Sequence, residues 1–158
     1  MADNLNSYVH GDIKPKTSKA VATAVVIEKG DLVEQTAGVI DAADNFTWDT
    51  DLATTQAAFC ALFFGVAQGR SRSGDTDPIT VATSGVFRFT CAAATFEVGD
   101  LVGPAKATGN ALENQKVVAV ADEKLAIGRV HKRAGSNVTT VEVEIFSAVM
   151  RGLYELDT

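Results

Sequence analysis

EKGDLVEQ at residues 28–35 and EVGDLVGP at residues 97–104 carry the same Glu-x-Gly-Asp-Leu-Val core twice in a chain of 158 residues. In both copies the glycine stands third of four, where a type II turn requires a positive φ, and the aspartate that follows can close the turn with its side chain. Leu and Val come next, as at the start of a strand. The repeated Gly-Asp therefore reads as the turn of a β-hairpin, and its recurrence as the duplication of a β unit. A catalytic pairing of Asp31 with Asp100 is the weaker reading. Neither residue lies near a His, Cys or Ser pattern that would give it a partner.

Further landmarks recur in the same order. GVI at 38–40 stands against GNAL at 109–112, and FGVAQGRSRSGD at 64–75 against IGRVHKRAGSN at 127–137. The separation shrinks from 69 residues between Gly30 and Gly99 to 63 between Gly65 and Gly128 and 61 between Gly74 and Gly135. The first half thus holds extra residues between its second and third landmarks, and these have helical character. Thr50 or Asp51 offers an N-cap, and Leu52, Ala53, Gln56, Ala57, Phe59, Cys60 and Phe63 fall within reach of one broad face. Elsewhere the β-branched and aromatic residues mark strands at 20–27, 31–35, 64–68, 79–83, 86–90, 101–104, 116–120, 126–131 and 138–146. In the last of these Val141, Val143 and Ile145 share one face, and Glu142, Glu144 and Phe146 the other. The expectation is a mainly β protein. It is a compact β-barrel or sandwich built from two related β units, residues 20–90 and 91–147, with one helix inserted in the first at 50–63.

A chain of this length can bury a substantial core, and 46% hydrophobic with 22% charged residues sets it apart from disordered chains. Its formal net charge of −6 supplies no global positive field for nucleic acid, so a nucleic-acid partner is not expected. The N-terminus lacks the apolar core of a secretory signal, and the longest apolar run, 57–67, is too short to span a bilayer. A soluble protein made in the cytoplasm, with no membrane partner, is expected. Cys60 and Cys91 sit in apolar company and read as small buried hydrophobes, with a disulfide the lesser alternative. His10, His131 and the two cysteines are too scattered for a metal site. No GxSxG elbow, phosphate-cradling loop or dinucleotide fingerprint is present. The expectation is no cofactor and no enzymatic activity.

Three surfaces attract attention. RSRSGD and HKRAGS occupy corresponding positions and set Arg70, Arg72, Lys132 and Arg133 beside glycine turns in an otherwise acidic chain. They read either as solubilised hairpin tips or as a docking surface for an acidic partner. Residues 1–19 are polar and lie outside the repeat, as an extended arm would. Leu5, Tyr8, Val9 and Ile13 could anchor that arm on a partner by strand addition, assisted by Lys14 and Lys16. The tail at 148–158 carries Met150, Leu153, Tyr154 and Leu156, more apolar surface than a disposable tail needs. It is expected to pack on its own domain or between subunits of a homo-oligomer.

Together, TSGVFRFTCAAATFEVGDLVGP at 83–104, LAIGRV at 125–130, a polar turn at 134–137 and VTTVEVEIF at 138–146 resemble the capsid decoration, or cement, proteins of tailed bacteriophages. The resemblance covers about 65 residues well and the first half loosely. The helical insertion and the long arm depart from the pattern. It implies a structural virion protein that binds the major capsid protein on the outer surface of an assembled head, commonly as a homotrimer, and bridges neighbouring capsomers. Three weak footprints on one trimer would give avidity without a strong single site. Rival expectations are a head-fibre base, a minor tail component, or a small-molecule-binding β-barrel plugged or lidded by the helix.

Overall fold

A computed structural model describes residues 8–10, 16–22 and 25–151. Along these residues the elements run β1 (Tyr8–His10), β2 (Lys16–Val21), β3 (Leu32–Thr36), β4 (Val39–Ala42), α1 (Leu52–Leu62), β5 (Phe63–Ala67), β6 (Ile79–Ala82), β7 (Val86–Phe96), β8 (Leu101–Lys106), β9 (Leu112–Ala119), β10 (Gly128–Val130), β11 (Ala134–Ile145) and α2 (Ala148–Arg151), with 3-10 turns at Ala43–Asn45 and Glu123–Leu125.

The strands form two barrels of one design. β2, β4, β3, β5 and β6 close into a ring, and β7, β9, β8, β10 and β11 close into another in the corresponding order. Both contain one parallel contact, β2 with β4 and β7 with β9. The registers correspond residue by residue at an offset of 70 on the first strand. Lys16, Thr17, Ser18 and Lys19 face Ala82, Val81, Thr80 and Ile79 of β6. Val86, Phe87, Arg88 and Phe89 face Glu144, Val143, Glu142 and Val141 of β11. Ala20 and Val21 then meet Val39 and Ile40, where Thr90 and Cys91 meet Lys116 and Val117. Even the isolated bridge Ile27–Ser71 has its counterpart in the pairing of Phe96 with Ala134.

The opening motif explains part of this repetition. Gly30 and Gly99 take φ values of 97° and 91°, as the turn demands. In each copy the aspartate N–H donates to the glutamate carbonyl at 3.1 Å, closing the turn. The glutamate N–H donates back to the aspartate carboxylate at 2.9 Å, from Glu28 to Asp31 and from Glu97 to Asp100. The turn is then tied to the next landmark. Gly30 N–H donates to the Ala67 carbonyl and Ala67 N–H to that of Asp31, as Gly99 does to Val130 and Val130 to Asp100. That landmark carries its own reason for glycine. A Cβ on Gly65 would lie 2.1 Å from the Ala82 carbonyl oxygen, and one on Gly128 2.2 Å from that of Glu144. The strands cross too closely there for any side chain.

The halves differ where the spacing narrows. The first barrel joins β4 to β5 through α1, and the second joins β9 to β10 through the short turn at Glu123–Leu125. Asp51 caps α1, its carboxylate accepting from Thr54 N–H at 2.8 Å, an arrangement worth about 1 kcal/mol. The helix does not plug a barrel. Its Phe59 and Cys60 pack with Leu32, Val66 and Ala82 of the first barrel and Phe87, Phe89, Val102 and Ile127 of the second in one continuous core. Phe46 meets the Phe59 ring edge-on with centroids 5.5 Å apart. Complete burial of Phe59 stabilises this junction by roughly 1.5–3 kcal/mol. A second cluster fills the first barrel with Val21, Val25, Ile27, Val33, Ile40, Phe64, Ile79 and Val81.

Two expected boundaries move. The arm expected over residues 1–19 ends before Lys16, because Lys16–Lys19 pair with β6, and Tyr8–His10 pair with β7. Polar residues carry the same backbone donors and acceptors as apolar ones, so side-chain polarity hid the strand that closes the first barrel. The division between repeats, expected at 90/91, falls at residues 83–85. β7 runs unbroken through the alanine-rich CAAAT, where β propensity is weak but main-chain pairing to β11 and β9 continues. The polar turn expected at 134–137 is the irregular start of β11, with register shifts around Val138 and Asn137 at a φ of 57°. No helix among the described residues is long and apolar enough to cross a membrane.

Candidate functional site

The basic tips lie at equivalent places on the two barrels, and each is partly neutralised by its own turn motif. Arg70 Nε lies 3.2 Å from Glu28 Oε2, and Arg133 Nε donates to both carboxylate oxygens of Glu97 at 3.0 Å. The glutamate and the arginine are therefore a repeated surface pair, worth at most about 1 kcal/mol in water. Arg72 and Lys132 are exposed, and neither forms an ion pair among the described residues.

The tips have diverged in what surrounds them. Lys132 and Arg133 share a cleft of about 310 Å³ with Arg88, floored by Val138 and Val141. Arg88 projects outward from β7 and reaches Glu142 at 3.9 Å. The alternation of VFRFT signals its exposure but not that it joins the 132–133 tip. By the repeat register, Ser18 and Gly69 hold the places of Arg88 and Lys132 in the first barrel, so the cations of the second tip are not repeated there. Glu142 and Glu97 offset two of the three cations, which leaves only a small positive excess.

Among the arm residues, the backbones of Tyr8, Val9 and Lys16 are described. Tyr8 pairs with Phe87 and His10 with Val86, adding β1 to the outside of the second barrel. Leu5, Ile13 and Lys14 lie outside the described residues, as do Leu153, Tyr154 and Leu156. Met150 is half-exposed on α2, next to equally exposed Val149. α2 rests on α1 and β5, and Ala148 and Val149 border a hollow of about 190 Å³ with Gln35, Leu62 and Phe64. Ser147 Oγ, at the head of α2, is buried and has no hydrogen-bond partner among the described residues.

The duplicated aspartates have become chemically unlike. Asp100 is exposed, whereas Asp31 is buried against the second barrel and accepts from Gln115 Nε2 at 2.8 Å. Burial pushes its carboxyl above the ordinary aspartate value, opposed by the hydrogen bonds from Glu28 N–H and Gln115. Asp44 N–H donates to Asn114 Oδ1 and Gln56 Nε2 to the Pro104 carbonyl, both at 2.8 Å. These polar contacts, with the shared core, join the barrels. Asp31 is a structural joint: its partners are an amide and a backbone N–H, neither able to relay a proton. Both cysteines are buried and stand outside any disulfide, and burial raises the Cys91 thiol above its usual value. No group of three or more His, Cys, Asp or Glu side chains converges as a metal site among the described residues.

A larger cleft of about 480 Å³ runs between α1 and the Glu123–Leu125 turn, lined by Ala53, Ala57, Ala58 and Leu125 and rimmed by Asp49, Asp122 and Lys124. It lies outside both barrels. No protein-family model matches the chain, and no curated protein matches it.

Proposed function

We propose that this is a structural virion protein that decorates the outer surface of a phage capsid, contacts the major capsid protein and bridges neighbouring capsomers. One observation carries the reading. The stretches that carry the resemblance to phage cement proteins, at 83–104, 125–130 and 134–146, fall on β7, β8, β10 and β11 of one barrel rather than on scattered turns. A resemblance that falls within one closed folding unit has a physical basis that isolated Gly-Asp turns lack. The duplication adds a second barrel of the same design, which shares a continuous core with the first through α1. Two similar barrels joined by one core are suited to spanning adjacent sites on a shell.

In this reading the protein assembles as a homotrimer on the virion, with the half-exposed Val149 and Met150 of α2 at or near the contact between subunits. The Arg88, Lys132 and Arg133 cleft supplies electrostatic register more than affinity. A small-molecule carrier is less well supported, because Val21, Val33, Ile40, Phe64 and Val81 fill the first barrel and the helix packs between barrels. The test is co-sedimentation with empty, expanded heads. Saturable binding that protects the heads against thermal rupture is expected. Failure to co-sediment, or thermal stabilisation by metabolites alone, would overturn the reading.

A further inference from the structure

We propose that the edge of β2 at Lys16 and Thr17 is a docking site for an extended strand supplied by a different protein. The duplication itself provides the template. On the second barrel, β7 uses one edge for β11 and the other for two neighbours in succession: β9 at Thr90 and Cys91, and β1 at Val86 and Phe87. On the first barrel, β2 uses one edge for β6 and the other for β4 at Ala20 and Val21. The pairings of Val86–Phe89 with β11 and of Thr90 and Cys91 with β9 have counterparts on β2, whereas among the described residues that of Val86 and Phe87 with β1 has none. By the offset of 70, the counterparts of Val86 and Phe87 are Lys16 and Thr17, and among the described residues no strand lies beside them on that side.

Backbone N–H and C=O groups along a sheet edge favour pairing with an incoming strand, and strand addition is a common route to peptide recognition. The structure shows what such an edge accepts, since β1 is the short antiparallel segment Tyr-Val-His. Counting excludes the β1 segments of other copies as the general donor. Each copy carries two such edges and one β1, so in any exchange of β1 between copies one edge per chain remains. Lysines at 14, 16 and 19 accompany the edge in the sequence. They disfavour pairing of two such edges with each other and favour an acidic donor. The site rests on the duplicated register and stands or falls independently of the capsid reading, under which the shell protein would supply the strand.

The probe is a peptide of the chain's own residues 3–12, DNLNSYVHGD, titrated into isotope-labelled full-length protein and followed by amide chemical shifts. A short strand should bind with a Kd of roughly 0.1–1 mM. The amides of Lys16, Thr17 and Ser18 should shift saturably, and those of Val86 and Phe87 should stay in place. N-methylation of the peptide at the positions of Tyr8 and His10 should weaken binding by about tenfold or more by removing main-chain donors. Three results would overturn the proposal. One is the absence of shifts at millimolar peptide, the outcome if another part of the same chain covers the edge. The others are shifts confined to Val86 and Phe87, which would mean displacement of β1, and equal binding of the N-methylated peptide.

Discussion

Replacing Asp31 by alanine should cost far more than replacing Asp100, although the two residues occupy the same place in the same repeated motif. Both truncations remove the carboxylate that accepts the turn N–H at 2.9 Å, so that loss is common to the pair. Asp31→Ala also strips Gln115 Nε2 of its 2.8 Å acceptor in a buried junction. A buried donor left unsatisfied costs about 1–3 kcal/mol. Relief of the buried carboxylate's desolvation offsets part of this, and the net difference should be about 2 kcal/mol. For a chain of this length that is a difference of roughly 4–8 °C in Tm. Urea unfolding at neutral pH measures it. A double-mutant cycle should show coupling of about 1–2 kcal/mol between Asp31 and Gln115, and none beyond about 0.5 kcal/mol between Asp100 and Gln115. The sign of the pH dependence follows from burial. The folded state holds the Asp31 proton more tightly than the unfolded chain does, so the folded state is penalised while the group is charged. Stability from this residue is fully present below the ordinary aspartate value and is lost as pH rises through the raised folded value. Relative to Asp31→Asn, the wild type should therefore gain stability as pH falls from neutral towards the ordinary aspartate range. Equal costs for the two alanine variants, or a gap from Asp31→Asn that does not change with pH, would refute the argument.

Gly65→Ala and Gly128→Ala should each destabilise by about 3 kcal/mol or more, because a Cβ would collide with a strand carbonyl. Gly135→Ala, which meets open space, should stay within about 0.5 kcal/mol in the same denaturation series. Removing residues 1–15 deletes β1 but spares β2. The truncated protein should still melt cooperatively, with a loss of about 1–3 kcal/mol from the uncovered edge of β7; a non-cooperative melt would show that β1 is integral to the second barrel. Neither cysteine should react with a thiol reagent until the protein unfolds, after which both should react, and mass spectrometry of alkylated samples before and after denaturation would check this.

Much of the architecture was legible because its determinants are local. A type II turn needs a residue that tolerates positive φ, and Gly-Asp at 30–31 and 99–100 announces it twice without reference to the rest of the chain. Two related β units, a helix within 50–63 and an N-cap at Thr50 or Asp51 also follow from spacing, propensity and a side-chain acceptor, and the structure settles the cap on Asp51 and the helix on Leu52–Leu62. Tertiary structure decided what depends on partners distant in sequence. Lys16–Lys19 became the closing strand of a barrel through backbone groups that every residue type carries. CAAAT stayed extended because β9 and β11 flank it. Arg88 reached the 132–133 tip only because β7 lies beside β11. The two aspartates that look identical in the sequence parted company for the same reason. Gln115 lies 84 residues from Asp31 and reaches it only when the second barrel docks against the first, and the sequence around GDLV carries no trace of that contact.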